Sequence, residues 1–381
     1  MKLRRVLFWI HLSIGIVAGS VILIMAATGV MLAYEKQIIA FSARNYRMAS
    51  QPGQPRLPLE QLLSKITKAA GRAPSSVTLR AQAGAPLELS FGRDSTQFVN
   101  PYSGEVLGES RSLPLFFSAV ENIHRRLGVS EGSSWGKAVT GGCTLGFVGL
   151  TLSGPFLWWP KEWTKLSLRK IAWFRGGLNG RALFWNWHNV LGIWCAAPLF
   201  MIALTGTIMS YNWANNLLYR LTGNQPPIPN QGPPPRDRTV GRGTDRQPET
   251  RGADSRSTKF DGLDMLMAHA QQQVPAWQSM QLRMPGGRGP MAVSVDEGSG
   301  GRPDLRRQFT IDPQTGEIRC ESFSSYNAGR RLRTWARFAH TGEAGGLAGQ
   351  TIAALACASA VVLAFTGLLL SVKRLLAAIR S

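Results

Sequence analysis

The chain has 381 residues, enough for two or three soluble domains, yet its 44% of hydrophobic residues gather into a few long runs instead of spreading evenly. Its formal charge of +21 invites a nucleic-acid reading. That reading is excluded, because no nucleic-acid-binding motif is present and much of the Lys and Arg flanks the apolar runs. The remaining positive charge is scattered and suits either an anionic ligand or a plain solvated surface.

In chain order, a first run over 6–33 follows Lys2, Arg4 and Arg5, with His11 near its start and Thr28-Gly29 near its end. The charged start resembles a signal peptide, but the apolar part is too long and no small-residue cleavage site follows, so 1–34 is expected to be a retained anchor. Residues 35–112 read as a small α+β domain: a helix over Leu59–Ala70, alternating strands from Ser76–Arg80 onward, and a Pro-x-x-Gly turn in Asn100–Glu105 that closes a hairpin. Residues 113–160 begin with a surface helix bearing His124, which re-enters as a second run over 138–159. The loop 161–184 sets Lys161, Lys165, Arg169, Lys170, Arg175 and Arg181 against one acid, Glu162.

The third run, 186–211 within the segment 185–212, opens on His188. The segment 213–258 follows; from Asn224 to Thr258 it is crowded with proline, glycine, arginine and acids, without an apolar period, and is expected to be a mobile linker. A second α+β domain over 259–328 carries a helix (Leu263–Gln273), a strand (Ser279–Arg283) and a turn in Asp312–Glu317. Residues 329–381 hold His340, a fourth run over 348–372, and a tail with Lys373, Arg374 and Arg380.

Each run is near or above the ~20 residues needed to cross a hydrocarbon core. The fold class is therefore an α-helical membrane protein, a four-span bundle with two small external α+β domains. The positive-inside rule puts both termini and the 161–184 loop in the cytoplasm, and the long segments 35–137 and 212–347 outside. In a bacterium that means the inner membrane and the periplasm. Trp158, Trp159, Trp185, Trp187, Tyr34 and Tyr211, at run ends, fit the interfacial aromatic belt. Cys143, Cys195 and Cys357 fall within the runs and Cys320 stands alone outside, so no external disulfide is available.

The chain is written twice. An offset of 177, from His11 to His188, also brings Gly15 over Gly192, Thr28-Gly29 over Thr205-Gly206, and Tyr34 over Tyr211. An offset of 213 brings Ser153-Gly154 over Thr366-Gly367, while His124 and His340 differ by 216. Ser76–Arg80 echoes Ser279–Arg283, and Asn100–Glu105 echoes Asp312–Glu317. Both copies share one orientation, so a pseudo-twofold axis along the membrane normal is expected to relate them.

That axis would bring like histidines together: His11 with His188 near the cytoplasm, His124 with His340 near the periplasm. His269, in a soluble helix, has no counterpart. Two imidazoles per level, with no matched carboxylate or thiolate, make a poor zinc or iron cage but suffice as axial ligands of one haem iron. No Cys-x-x-Cys-His occurs, so such haems would be held non-covalently, as two b-type groups. Gly15 and Gly192, one turn after their histidines, leave room for a porphyrin. Gly29 and Gly206 lie 18 residues on, on the same helix face roughly 27 Å away, where they would make room for the second haem. The same glycines also suit close helix packing. Arg125 and Arg337, beside the outer histidines, suit haem propionates or lipid headgroups. No nicotinamide or flavin site is legible, so electrons must come from a membrane quinol or a cytoplasmic reductase.

His11-Leu12 with Gly15-Ile16, Thr28-Gly29, His124-Arg125, and the stretch Ser153-Gly154 to Leu157-Trp158-Trp159-Pro160 together resemble the PepSY-associated transmembrane family. The resemblance covers nearly the whole chain except the proline-rich insertion, and the external segments look like PepSY domains. Size and layout are most similar to the iron-regulated inner-membrane siderophore reductases, the ferrioxamine-reducing kind among them. That resemblance implies a four-span haem protein reducing Fe(III) to Fe(II) in a periplasmic ferric siderophore of hydroxamate type, with His11, His124, His188 and His340 at the family's histidine positions. Two other readings stay open: a haem-free, membrane-tethered PepSY pair that binds a peptide or modulates a protease, and a dihaem protein serving another periplasmic acceptor.

Overall fold

The computed structural model describes residues 2–49, 54–93, 95–130, 132–160, 162–227, 262–284, 291–311 and 316–379. From residue 228 onward the expected linker lies outside the described residues, as do the turn residues 312–315, Lys161 and Arg380.

The first half runs α1 (Lys2–Leu32), α2 (Glu35–Ser42), α3 (Leu59–Ala70), β1 (Ser76–Arg80), β2 (Leu87–Phe91), β3 (Ser95–Val99), β4 (Val106–Ser110), α4 (Ser112–Arg126) and α5 (Trp135–Trp158). After α6 (Lys165–Ala172) the second half repeats that order. It runs α7 (Gly180–Ser210), α8 (Asn212–Leu221), α9 (Leu263–Gln273), β5 (Ser279–Arg283), β6 (Met291–Asp296), β7 (Arg306–Ile311), β8 (Ile318–Ser322), α10 (Ala328–His340) and α11 (Gly346–Ile379).

Among the described residues, three segments are long and apolar enough to cross a membrane: Leu3–Tyr46, Gly180–Ser210 and Glu343–Leu376. The 24-residue α5 is not among them, because Gly141, Gly142, Gly146, Gly149, Thr140, Thr144 and Thr151 dilute its hydropathy. Those small residues have a packing role. A Cβ added at Gly146 would lie 3.1 Å from Ile14 Cγ2, and one at Gly141 would lie 3.1 Å from the Tyr211 hydroxyl. Without side chains there, α5 lies close against α1 and α7. As α11 packs on both α1 and α7, the four long helices close a ring in the order α1–α5–α7–α11.

The two α+β segments do not form separate sheets. First strand meets first strand, β1 against β5, giving one eight-stranded antiparallel sheet ordered β4-β3-β2-β1-β5-β6-β7-β8. Each half alone would expose that strand as an edge with unpaired backbone groups; joining them removes two edges at once. Alternate residues Val77, Leu79, Met280 and Leu282 point into a shared core with Leu62, Leu63 and Ile66 of α3 and Leu263 and Leu266 of α9. The two helices also cap one another. Leu59 N–H donates to Asp264 Oδ1 (2.6 Å), and Asp264 N–H donates to Glu60 Oε1 (3.2 Å).

Candidate functional site

The paired histidines come together at two levels of the bundle. His11 on α1 and His188 on α7 have ring centres 6.5 Å apart with planes inclined at 85°. His124 on α4 and His340 on α10 have ring centres 6.4 Å apart at 64°. The second pair is at the sheet end because α4 begins two residues after β4, and α10 follows closely on β8. Along α1, His11 and the His124 contact at Thr28 are 17 residues apart, or about 25 Å at helical rise.

Each ring is held through Nδ1 by a hydroxyl on a long helix. His11 Nδ1 lies 2.8 Å from Ser153 Oγ on α5, and His188 Nδ1 lies 3.1 Å from Thr366 Oγ1 on α11. His124 Nδ1 lies 2.9 Å from Thr28 Oγ1 on α1, and His340 Nδ1 lies 3.2 Å from Thr205 Oγ1 on α7. In every case the next residue is a glycine under the ring. Added Cβ atoms at Gly154, Gly29, Gly206 and Gly367 would stand 3.9, 3.7, 3.2 and 3.2 Å from the Cε1 of His11, His124, His340 and His188 respectively. Any side chain at Gly206 or Gly367 would push its imidazole aside.

Gly29 and Gly206 thus stand against the imidazoles of the sheet-end pair. Gly15 has open space where its Cβ would be, and Gly192 meets only Leu363 at 3.8 Å. Arg125 is engaged by Glu121 at 2.7 Å, and the Arg337 guanidinium lies over the Phe338 ring. The hydroxyls were visible in the sequence only as repeat markers. The signal that would have assigned them is the recurrence of a Ser/Thr-Gly dipeptide in each of the four long helices, twice in α5, where Ser153-Gly154 is the one that matches Thr366-Gly367 by the repeat offset.

Burial pushes His124 and His340 below the ordinary imidazole range, His124 to about 4, where the neighbouring His340 adds to the effect. Both are therefore neutral, with a nitrogen lone pair available, at neutral pH. Among the described residues no group of three or more His, Cys, Asp and Glu converges, so each pair offers two nitrogen ligands and not a cage.

A family model described as the PepSY-associated TM region matches residues 8–374 of the chain. No curated protein matches it.

Proposed function

This chain belongs to the PepSY-associated TM family, and from that premise we propose that it is an inner-membrane dihaem reductase delivering electrons to a periplasmic ferric siderophore. The carrying observation is the spacing of both pairs. A metal–imidazole bond of about 2.0–2.1 Å plus roughly 1.1 Å from nitrogen to ring centre, taken twice, gives about 6.3 Å. The separations of 6.5 and 6.4 Å suit one iron between each pair, and the seating of all four rings through Nδ1 leaves Nε2 free to bind it.

In this reading α5 is the fourth span, the termini face the cytoplasm, and the sheet is periplasmic. His11 and His188 would hold one haem at the cytoplasmic end, and His124 and His340 the other beneath the sheet. Bound haem supplies a one-electron Fe(III)/Fe(II) couple. With both imidazoles of a pair engaged, a bound haem would have no protein-facing position left for substrate, so His11/His188 and His124/His340 would serve to hold an electron carrier and keep substrate off its iron. Quinol or a cytoplasmic reductase gives the electrons at His11/His188. One electron turns the siderophore's Fe(III) into the softer Fe(II), which hard oxygen ligands hold weakly, and release leaves the chelator intact.

The test is absorption spectroscopy of purified full-length protein, then reoxidation of dithionite-reduced protein by ferric hydroxamates. Paired-imidazole haem bands that reoxidise with the chelate support the proposal. Colourless protein would favour the tethered PepSY module, and haem indifferent to every chelate would favour another acceptor; either result overturns it.

A further inference from the structure

We propose that Thr28, Ser153, Thr205 and Thr366 are positioning residues that fix the tautomer of the four histidines, and that Thr205 is the one whose loss is best compensated. This rests on the reading of the histidine pairs as axial ligands. A hydroxyl carries one proton, and at all four positions that proton is engaged by the helix's own carbonyl four residues back. Thr28 donates to Ile24 O (2.8 Å), Ser153 to Gly149 O (2.7 Å), Thr205 to Met201 O (2.6 Å) and Thr366 to Val362 O (2.7 Å). The oxygen can then only accept from the imidazole. The hydrogen-bond network therefore assigns the proton to Nδ1 and the lone pair to Nε2 in every ring. A ligand histidine needs that state, and a bonded Nδ1–H makes the ring a stronger donor.

The four seats differ in one respect. His340 Nδ1 also donates to Ile202 O at 2.9 Å. That carbonyl is three residues before the seating hydroxyl, Thr205. His11 has the Ser153 hydroxyl as its Nδ1 partner. Removing the Thr205 hydroxyl leaves the His340 ring a carbonyl acceptor and the same tautomer. Removing the Ser153 hydroxyl frees the His11 ring to exchange its proton to Nε2, which destroys the ligand.

The experiment compares Ser153→Ala, Thr366→Val and Thr205→Val in haem-loaded full-length protein. The readouts are haem per chain, the low-temperature absorption bands and the midpoint potentials. Ser153→Ala should weaken the His11/His188 haem by about 10–100-fold. It should raise that haem's midpoint, since a less donating imidazole stabilises ferric iron less; a tenfold change in the ferric-to-ferrous binding ratio is about 59 mV for one electron. Thr205→Val should change occupancy by less than Ser153→Ala, Thr366→Val should weaken the His11/His188 level as Ser153→Ala does, and Ser153→Thr should keep the wild-type bands. Should Ser153→Ala fail to accumulate, Ser153→Cys, nearly isosteric and a poor acceptor, serves in its place. Wild-type occupancy, bands and midpoints in Ser153→Ala overturn the inference while leaving the dihaem reading intact. Absence of haem from the wild type, or full retention of both haems in His11→Ala, overturns the dihaem reading itself.

Discussion

Thr78 and Gln281, counterparts in the two halves, face each other across the β1–β5 seam, so the axis relating the halves passes through that one cross-strand pair. Ser76 meets Arg283 on one side of it and Arg80 meets Ser279 on the other, the reciprocal pattern a twofold contact requires. The seam is the centre of the sheet, and its ladder cannot be lost locally. Thr78→Pro is expected to open the sheet, because proline in a central strand removes a ladder bond, whereas the β-branched Thr78→Val is expected to be neutral. Limited proteolysis of the purified variants would show cleavage within β1 and β5 themselves in the proline variant alone; equal resistance there would refute the seam's importance.

The reciprocal helix caps differ in strength. Asp264 accepts from both Leu59 N–H (2.6 Å) and Glu60 N–H (3.4 Å), while Glu60 accepts one bond from Asp264 N–H at 3.2 Å. Asp264→Ala is expected to lose about 0.5–2 kcal/mol, and Glu60→Ala less. Thermal unfolding in detergent gives the order, and the reverse order would contradict the cap assignment.

Asp296 is almost fully buried on β6, with Arg306 Nε at 2.6 Å and Gly298 N–H at 2.8 Å. Arg306→Met would leave that carboxylate with a single backbone donor, at a cost of about 3–5 kcal/mol. The double variant Asp296→Asn with Arg306→Met should recover part of it. No recovery in the thermal midpoint would mean that Arg306 acts by packing instead.

If each pair holds one haem, His188→Ala should halve the haem content, leaving the His124/His340 group with unchanged bands. His340→Ala should do the converse, and the bands lost with His11→Ala should be those lost with His188→Ala. A variant that loses both groups, or neither, would break the pairing.

The glycines separate two kinds of space. Gly206→Ala places a methyl 3.2 Å from His340 Cε1 and is expected to perturb the sheet-end haem bands. A residue at Gly15 meets nothing within 4 Å, so Gly15→Leu should leave the fold intact and lower only the occupancy of the His11/His188 level, where a macrocycle would lie. Full occupancy in Gly15→Leu would assign that space to lipid.

Much of this was legible in the residues because the chain repeats itself. The bounds of α3 and α9 and of β1 and β5 follow from amphipathic and alternating patterns that recur, and the pairing of His11 with His188 follows from the offset alone. What stayed hidden depends on approach between elements distant in sequence. Nothing in Ser76–Arg80 or Ser279–Arg283 says that each pairs with the other and not with a strand beyond it. The hydroxyls were hidden for the same reason: Ser153 and His11 are 142 residues apart, and a mid-helix serine bonded to its own helix has an ordinary local explanation. In α5, the glycines and threonines that build the contact surface also weakened the apolar signal of the helix.

His11 is seated by α5 and His124 by α1, both of the first half, while His188 is seated by α11 and His340 by α7, both of the second. Each half is thus a finished half-socket at both depths, with no seat borrowed from its twin. A gene encoding a single half, folding alone and associating as a homodimer about the Thr78–Gln281 axis, would already possess both complete sockets and the uninterrupted sheet. In a single chain the two copies are free to differ, and the serine at position 153 opposite threonine at 366 is one place where they do.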